Sequence, residues 1–147
     1  MFVFYNLYDL VLLHRLQVIQ RITETGAKIF VPAIWAADHS APFWSRITEM
    51  SDRGLIKIKD SDDCLFDFIA INEPANPLAG KPLLALVHFC KRENAVLIVN
   101  EDEVLIQEIC RKLDLKTCSM DEFNKATINN IEYFEFMAEI KREQIIR

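Results

Sequence analysis

Five side chains that carry oxygen, Asn6, Asp9, Asp38, Glu101 and Asp102, fall at or shortly after the ends of apolar runs. Ligands of a parallel α/β sheet collect at the carboxyl ends of its strands, so these five are expected to converge there. Four of them also have a plainer reading. Glu101 and Asp102 would serve equally well as helix caps that offset the helix dipole, and Asp9 and Asp38 as ordinary surface acids. Other chemistries find less support. His14, His39 and His88 lack paired ligand spacing, and only His39, beside Asp38, forms a pair that could serve a site. Cys64, Cys90, Cys110 and Cys118 never form CxxC, which argues against a zinc ribbon or a redox pair and for reduced core or near-core thiols. No GxSxG turn presents a nucleophile, and three isolated glycines cannot build a phosphate-binding loop.

The elements that would carry these residues alternate along the chain. Phe2 to Tyr5 reads as a buried strand with Asn6 at its end. A helix follows at once, with Leu12, Leu16 and Ile19 on one face and Gly26 placed to stop it. Lys28 to Val31 is the next strand, and Pro32 suits the first turn of a second helix through Ala37. Pro42 opens a further helix that ends at Gly54, and Leu55 to Ile58 mixes apolar with basic residues as an edge strand should. A helix with Asp62 and Asp63 at its favourable end carries Leu65, Phe66, Phe68, Ile69 and Ile71. Residues 72–82, with three prolines and Gly80, form a loop, and a buried helix follows.

Ala95 to Val99 is the clearest strand, a continuous apolar run suited to the interior of a parallel sheet. A helix from about Asp102 to Leu113 would turn Val104, Leu105, Ile109 and Cys110 inward. Leu115 to Cys118 then supplies a last strand, and Ser119 with Glu122 forms a capping box. The stretch 127–146 reads as helical. This βα alternation predicts a three-layer α/β/α sandwich around a mainly parallel sheet of four or five strands.

Composition narrows the function. The chain has 147 residues, 51% of them hydrophobic and 27% charged, the balance of a folded water-soluble domain. A net charge of −5 removes the simplest electrostatic route to nucleic acid, although it leaves room for a local basic patch. No basic-then-apolar leader opens the chain and no apolar run approaches a membrane span, so a cytoplasmic location without a membrane partner is expected.

The segment Val96-Leu-Ile-Val-Asn-Glu-Asp-Glu-Val-Leu105, followed by Leu113-Asp-Leu-Lys-Thr117, resembles the PIN domains, many of which are metal-dependent ribonucleases, including toxins of toxin-antitoxin pairs. Lys28-Ile-Phe-Val-Pro32 is similar to that family's second strand and proline-led helix, Phe2 to Asn6 to its opening strand, and Gly80 to Asn94 to the helix before its central strand. The resemblance covers about residues 2 to 123. It implies a single PIN-like domain over 1–147, with 128–147 as a helical extension. It also implies three or four carboxylates that hold Mg²⁺ or Mn²⁺ and activate a water, which here would draw on Asn6, Asp9, Asp38, Glu101 and Asp102, with Asp38, Glu101 and Asp102 as the catalytic acids. The sequence departs from the family pattern in several places. Asn6 stands where the opening strand normally ends in Asp, with Asp9 as the other occupant of that position. The second acid falls at Ala37 or Asp38, and a third meets Lys81, Pro82 or Leu83.

Three readings follow. The first is a PIN-like protein that has lost catalysis and binds RNA or a protein partner. The second is a divergent Mg²⁺- or Mn²⁺-dependent endoribonuclease of the toxin type, with an antitoxin as protein partner. The third is an interaction module that forms a homodimer through an aromatic patch of Trp35, Trp44, Phe134 and Phe136.

Overall fold

A computed structural model describes residues 1–62 and 64–127, together with Glu139. Among the described residues there are five short strands, β1 (Phe2–Phe4), β2 (Ile29–Pro32), β3 (Lys57–Lys59), β4 (Val96–Ile98) and β5 (Thr117–Cys118), of which β1, β2 and β4 come from apolar runs rich in branched and aromatic residues. All four pairings are parallel, and the strand order is β3-β2-β1-β4-β5. β1 lies at the centre, with Phe2 opposite both Ile29 and Val96. The mixed strand β3 forms one edge, as its alternating lysines suggest.

Among the described residues seven α-helices connect and flank these strands: α1 (Leu7–Arg15), α2 (Ile19–Glu24), α3 (Ala41–Asp52), α4 (Leu65–Asn72), α5 (Gly80–Glu93), α6 (Val104–Lys112) and α7 (Met120–Thr127). Chain order runs outward in one direction from β1 through β2 to β3, then back across the sheet to β4 and β5. Right-handed crossovers therefore put α1 to α3 on one face and α4 to α6 on the other, which makes the three-layer sandwich. The reversal lies between β1 and β4. A crevice forms at such a switch point because the connections leave the adjacent strand ends in opposite directions.

Local chemistry sets the boundaries. Ser119 and Glu122 form the reciprocal capping box of α7, with Glu122 N–H donating to Ser119 Oγ (3.1 Å) and Ser119 N–H donating to Glu122 Oε1 (3.3 Å). Phe123 of that helix is buried edge-on against Phe2 (4.9 Å) and Phe4 (5.3 Å), tying α7 to the central strand. Gly54 ends α3 with φ +74°, a left-handed angle that a side chain would oppose.

Several expectations change. The helix expected from Leu7 to Gly26 is two helices. Gln17 takes φ +58°, and the bonds Gln17 N–H to His14 O and Val18 N–H to Leu13 O close a Schellman turn after α1. Buried Val18 and Leu13 supply the apolar contact that goes with that turn. The helix expected after Pro32 is a 3₁₀ helix over Ala33–Asp38. In α6 the buried face is Ile109, Cys110 and Leu113 with half-buried Ile106, spaced i, i+3, i+4 and i+7. Val104 and Leu105 lie off that face and are exposed rather than inward. Trp35 is buried and Trp44 packs half-buried on the core, so they do not make the exposed aromatic patch. Phe134, Phe136 and the helical extension 128–147 lie outside the described residues. Cys64 is exposed rather than near the core.

Among the described residues no helix is long and apolar enough to cross a membrane.

Candidate functional site

The β1–β4 register equates two chain positions at the crevice. Phe4 lies opposite Ile98, and each chain continues two residues to an asparagine, Asn6 on one strand and Asn100 on the other. Tyr5 N–H donates to Ile98 O (3.0 Å), prolonging the pairing as far as the crevice.

Asn6 caps α1, its Oδ1 accepting from Tyr8 N–H (3.0 Å). That cap directs the first turn of α1 back over the strand end, and Asp9, one turn in, is buried there. Asn100 Nδ2 donates to Asp9 Oδ2 across 3.4 Å. The Asn100 carbonyl in turn accepts from Gln107 Nε2 (2.9 Å) and Glu103 N–H (3.1 Å), which holds the turn between β4 and α6. Burial, reinforced by nearby Glu103, pushes the Tyr5 hydroxyl above its ordinary range and keeps it protonated as a donor.

Beside this polar network lies a cleft of about 380 Å³, lined by Tyr5, Asn6, Tyr8, Trp35, His39 and Leu83 among others. It spans the two helical layers, since Tyr8 belongs to α1 and Leu83 to α5. Its rim is aromatic. Tyr8 is 65% exposed. Its ring stands 4.6 Å from Phe43, and His39 stacks on Phe43 at 4.9 Å with 17° between the planes. His39 Nδ1 lies 2.8 Å from the Trp35 carbonyl, so Nδ1 carries the proton and the ring is fixed in orientation. Ser40 Oγ accepts from Phe43 N–H (3.3 Å) and starts α3 where Phe43 can reach the stack.

The sequence-derived candidates divide. Asn6 and Asp9 lie at the crevice. Asp38 is exposed at the end of the 3₁₀ helix, and Asp102 is exposed in the turn before α6. Glu101 lines a separate small cavity of about 140 Å³ with Gln107, Ser119 and Glu122. The residue that caps α6 is Glu103, without a side-chain capping bond, so neither Glu101 nor Asp102 caps that helix. Among the described residues no three His, Cys, Asp or Glu side chains come together closely enough to hold a metal ion. Asp9, Asp38, Glu101 and Asp102 belong to no such group.

His88 belongs to a structural clip, 2.9 Å from Asp62 Oδ1. The thiols of Cys90, Cys110 and Cys118 are inert packing groups. Burial raises Cys110 and Cys118 each to about 11 and pushes Cys90 further still.

Sequence reasoning missed Asn100, Tyr5, Tyr8, Gln107 and Phe43. A signal for Asn100 was present, because both interior apolar runs end on asparagine and a parallel pairing would place the two side by side. Tyr8, Phe43 and His39 are brought together from separate elements and carry no shared spacing.

Compared with protein-family models, with curated proteins and with solved structures, the chain matches none of them.

Proposed function

We propose that this chain is a PIN-like domain whose crevice binds an unpaired RNA base rather than cleaving the strand. The observation that carries the reading is the exposed ring of Tyr8 at the rim of a cleft of ligand size, with half-buried His39 and Phe43 packed beside it. A splayed base can stack on such a surface, and every base offers a π face. Asn6 and Asn100 at the switch point and the protonated Tyr5 hydroxyl supply fixed hydrogen-bonding groups of the kind that read base edges. A net charge of −5 does not favour phosphate contacts, so affinity is expected to come mainly from stacking and to depend weakly on salt. Asp9, directed to Asn100, acts as a positioning group in this arrangement.

The test is binding of fluorescein-labelled eight-nucleotide single-stranded RNA, followed by anisotropy, with a duplex of the same sequence as control. Stacking is worth about 1–3 kcal/mol per base, so Tyr8→Ala should weaken binding about 5- to 150-fold while leaving thermal stability within about 1 °C. Equal affinity of Tyr8→Ala and the parent for the single strand, or no binding by the parent, refutes the proposal.

A further inference from the structure

From a repeated turn at the amino ends of β4 and β5 we infer that the protein binds a small organic phosphate, in a cavity at the opposite edge of the sheet from the crevice and independent of it. Cys90-Lys-Arg-Glu-Asn-Ala95 and Cys110-Arg-Lys-Leu-Asp-Leu115 share one pattern, a cysteine, two cations, an intervening residue, Asn or Asp, and an apolar residue. Each stretch closes its helix in the same way. Asn94 (φ +54°) and Asp114 (φ +58°) take the left-handed angle, and Ala95 N–H donates to Cys90 O as Leu115 N–H does to Cys110 O, both at 2.9 Å. The sheet register pairs Leu97 of β4 with Thr117 of β5, twenty residues on, and the same twenty separate the two stretches, so the turns lie abreast.

These turns border a cavity of about 660 Å³, within the range of small-molecule sites. Its buried lining includes Cys90, Ala95 and Leu115, while Lys91, Arg111 and Lys116 are exposed around it. Asp114 is the one carboxylate of the lining, which therefore carries a net charge of two positive on a chain whose total is −5. Cations in the last turn of a helix ordinarily offset its dipole, a reading open to Lys91 and Arg111. It does not extend to Lys116, which precedes a strand, and the turns' own N–H groups already occupy carbonyls at both helix ends. Among the described residues neither Lys91 nor Lys116 makes a salt bridge, and Arg111 meets Glu108 at 3.7 Å in an exposed pair, which is weak. Like charges around one cavity repel until an anion joins them. A phosphate dianion matches the net charge and suits the donor fork of Arg111, and the apolar lining takes the carbon part of the molecule. Cations gathered in one cavity, rather than strung along a face, favour a single phosphate group over a nucleic-acid backbone.

The experiment is isothermal titration calorimetry of the full chain with phenyl phosphate, inorganic phosphate and benzyl alcohol in turn. Phenyl phosphate should bind saturably, inorganic phosphate about tenfold more weakly for want of the apolar contact, and benzyl alcohol not at all. Lys116→Glu and Arg111→Glu should each weaken phenyl phosphate binding about tenfold, and Arg46→Glu, the same charge change at an exposed position of α3, should leave it unchanged. Circular dichroism melting confirms that each variant is folded. The inference is overturned by no saturable binding, by equal affinity for inorganic phosphate or benzyl alcohol, by parent-like affinity in both cavity variants, or by an equal loss in Arg46→Glu. It is also overturned if eight-nucleotide single-stranded RNA displaces phenyl phosphate, which would make the cavity part of an RNA path.

Discussion

Replacing Asn100 by alanine should destabilise the protein, and most of the effect should vanish when Asp9 is already asparagine. The Asn100 amide bridges β4 to α1 through its 3.4 Å bond to Asp9, while its carbonyl belongs to the backbone and survives the substitution. A hydrogen bond to a charged group contributes about 1.5–3 kcal/mol, and this one is long, so about 1.5 kcal/mol is the expected cost of Asn100→Ala. Asp9→Asn removes the charge but keeps the shape, and should cost about 1 kcal/mol for the same reason. If the bond carries the effect, the double variant will lose about 1 kcal/mol less than the sum of the two. Urea unfolding followed by the fluorescence of buried Trp35 and half-buried Trp44 measures all four proteins. Additivity within about 0.3 kcal/mol would show that Asp9 and Asn100 do not meet, and the crevice as described would be wrong.

Gln17→Gly should stabilise by about 0.5–1 kcal/mol, because Gln17 holds φ +58° and glycine adopts that angle without strain; a lower midpoint in urea would contradict the Schellman turn. Stability should fall on acidification from about pH 5 to below pH 4. The His88 hydrogen bond holds the Asp62 carboxyl, and the Lys59 hydrogen bond the Glu93 carboxyl, below the usual range, so their contribution is present above that range and is lost as pH drops through the lowered values. Asp62→Asn combined with Lys59→Met should flatten this part of a melting-temperature profile, and an unchanged slope would remove the attribution. Adding about 1 mM Mn²⁺ should leave the melting temperature unchanged, since an ion at about 100 Kd would contribute about 2.7 kcal/mol. A rise that Asp9→Asn or Glu101→Ala abolishes, accompanied by RNA cleavage, would restore the nuclease reading.

The fold was legible where one local signal decided the outcome. The runs through Val3 and Leu97 could only be buried strands, Ser119 with Glu122 could hardly be anything but a cap, and parallel order followed from the alternation. The break after α1 was not legible, because the residue in the left-handed position is Gln17 and the usual glycine signal is missing. The outward turn of Val104 and Leu105 was hidden for another reason. Residues 100–103 are consumed by the turn that Asn100 O organises, so the helix begins later and its buried stripe starts at Ile106.

The site divides along the same line. Asn6 and Asp9 follow the end of β1 closely enough that strand and cap geometry deliver them, and they arrive at the crevice. Asp38 is carried away from β2 by the 3₁₀ helix that it ends, and Glu101 and Asp102 lie in the turn before α6, where one residue more or less redirects a carboxylate. The aromatic rim depends on three elements at once. Tyr8 comes from α1, His39 is oriented by the carbonyl of Trp35, and Phe43 is placed by the Ser40 cap. None of these contacts has a period or a spacing in the chain. Asp38, Glu101 and Asp102 are thus dispersed by loop geometry, while the rings of Tyr8, His39 and Phe43 are gathered by packing at the rim of the crevice. The proposed binding role draws on that exchange, because stacking needs only ring faces held in place, whereas metal-assisted hydrolysis needs several carboxylates within one coordination sphere.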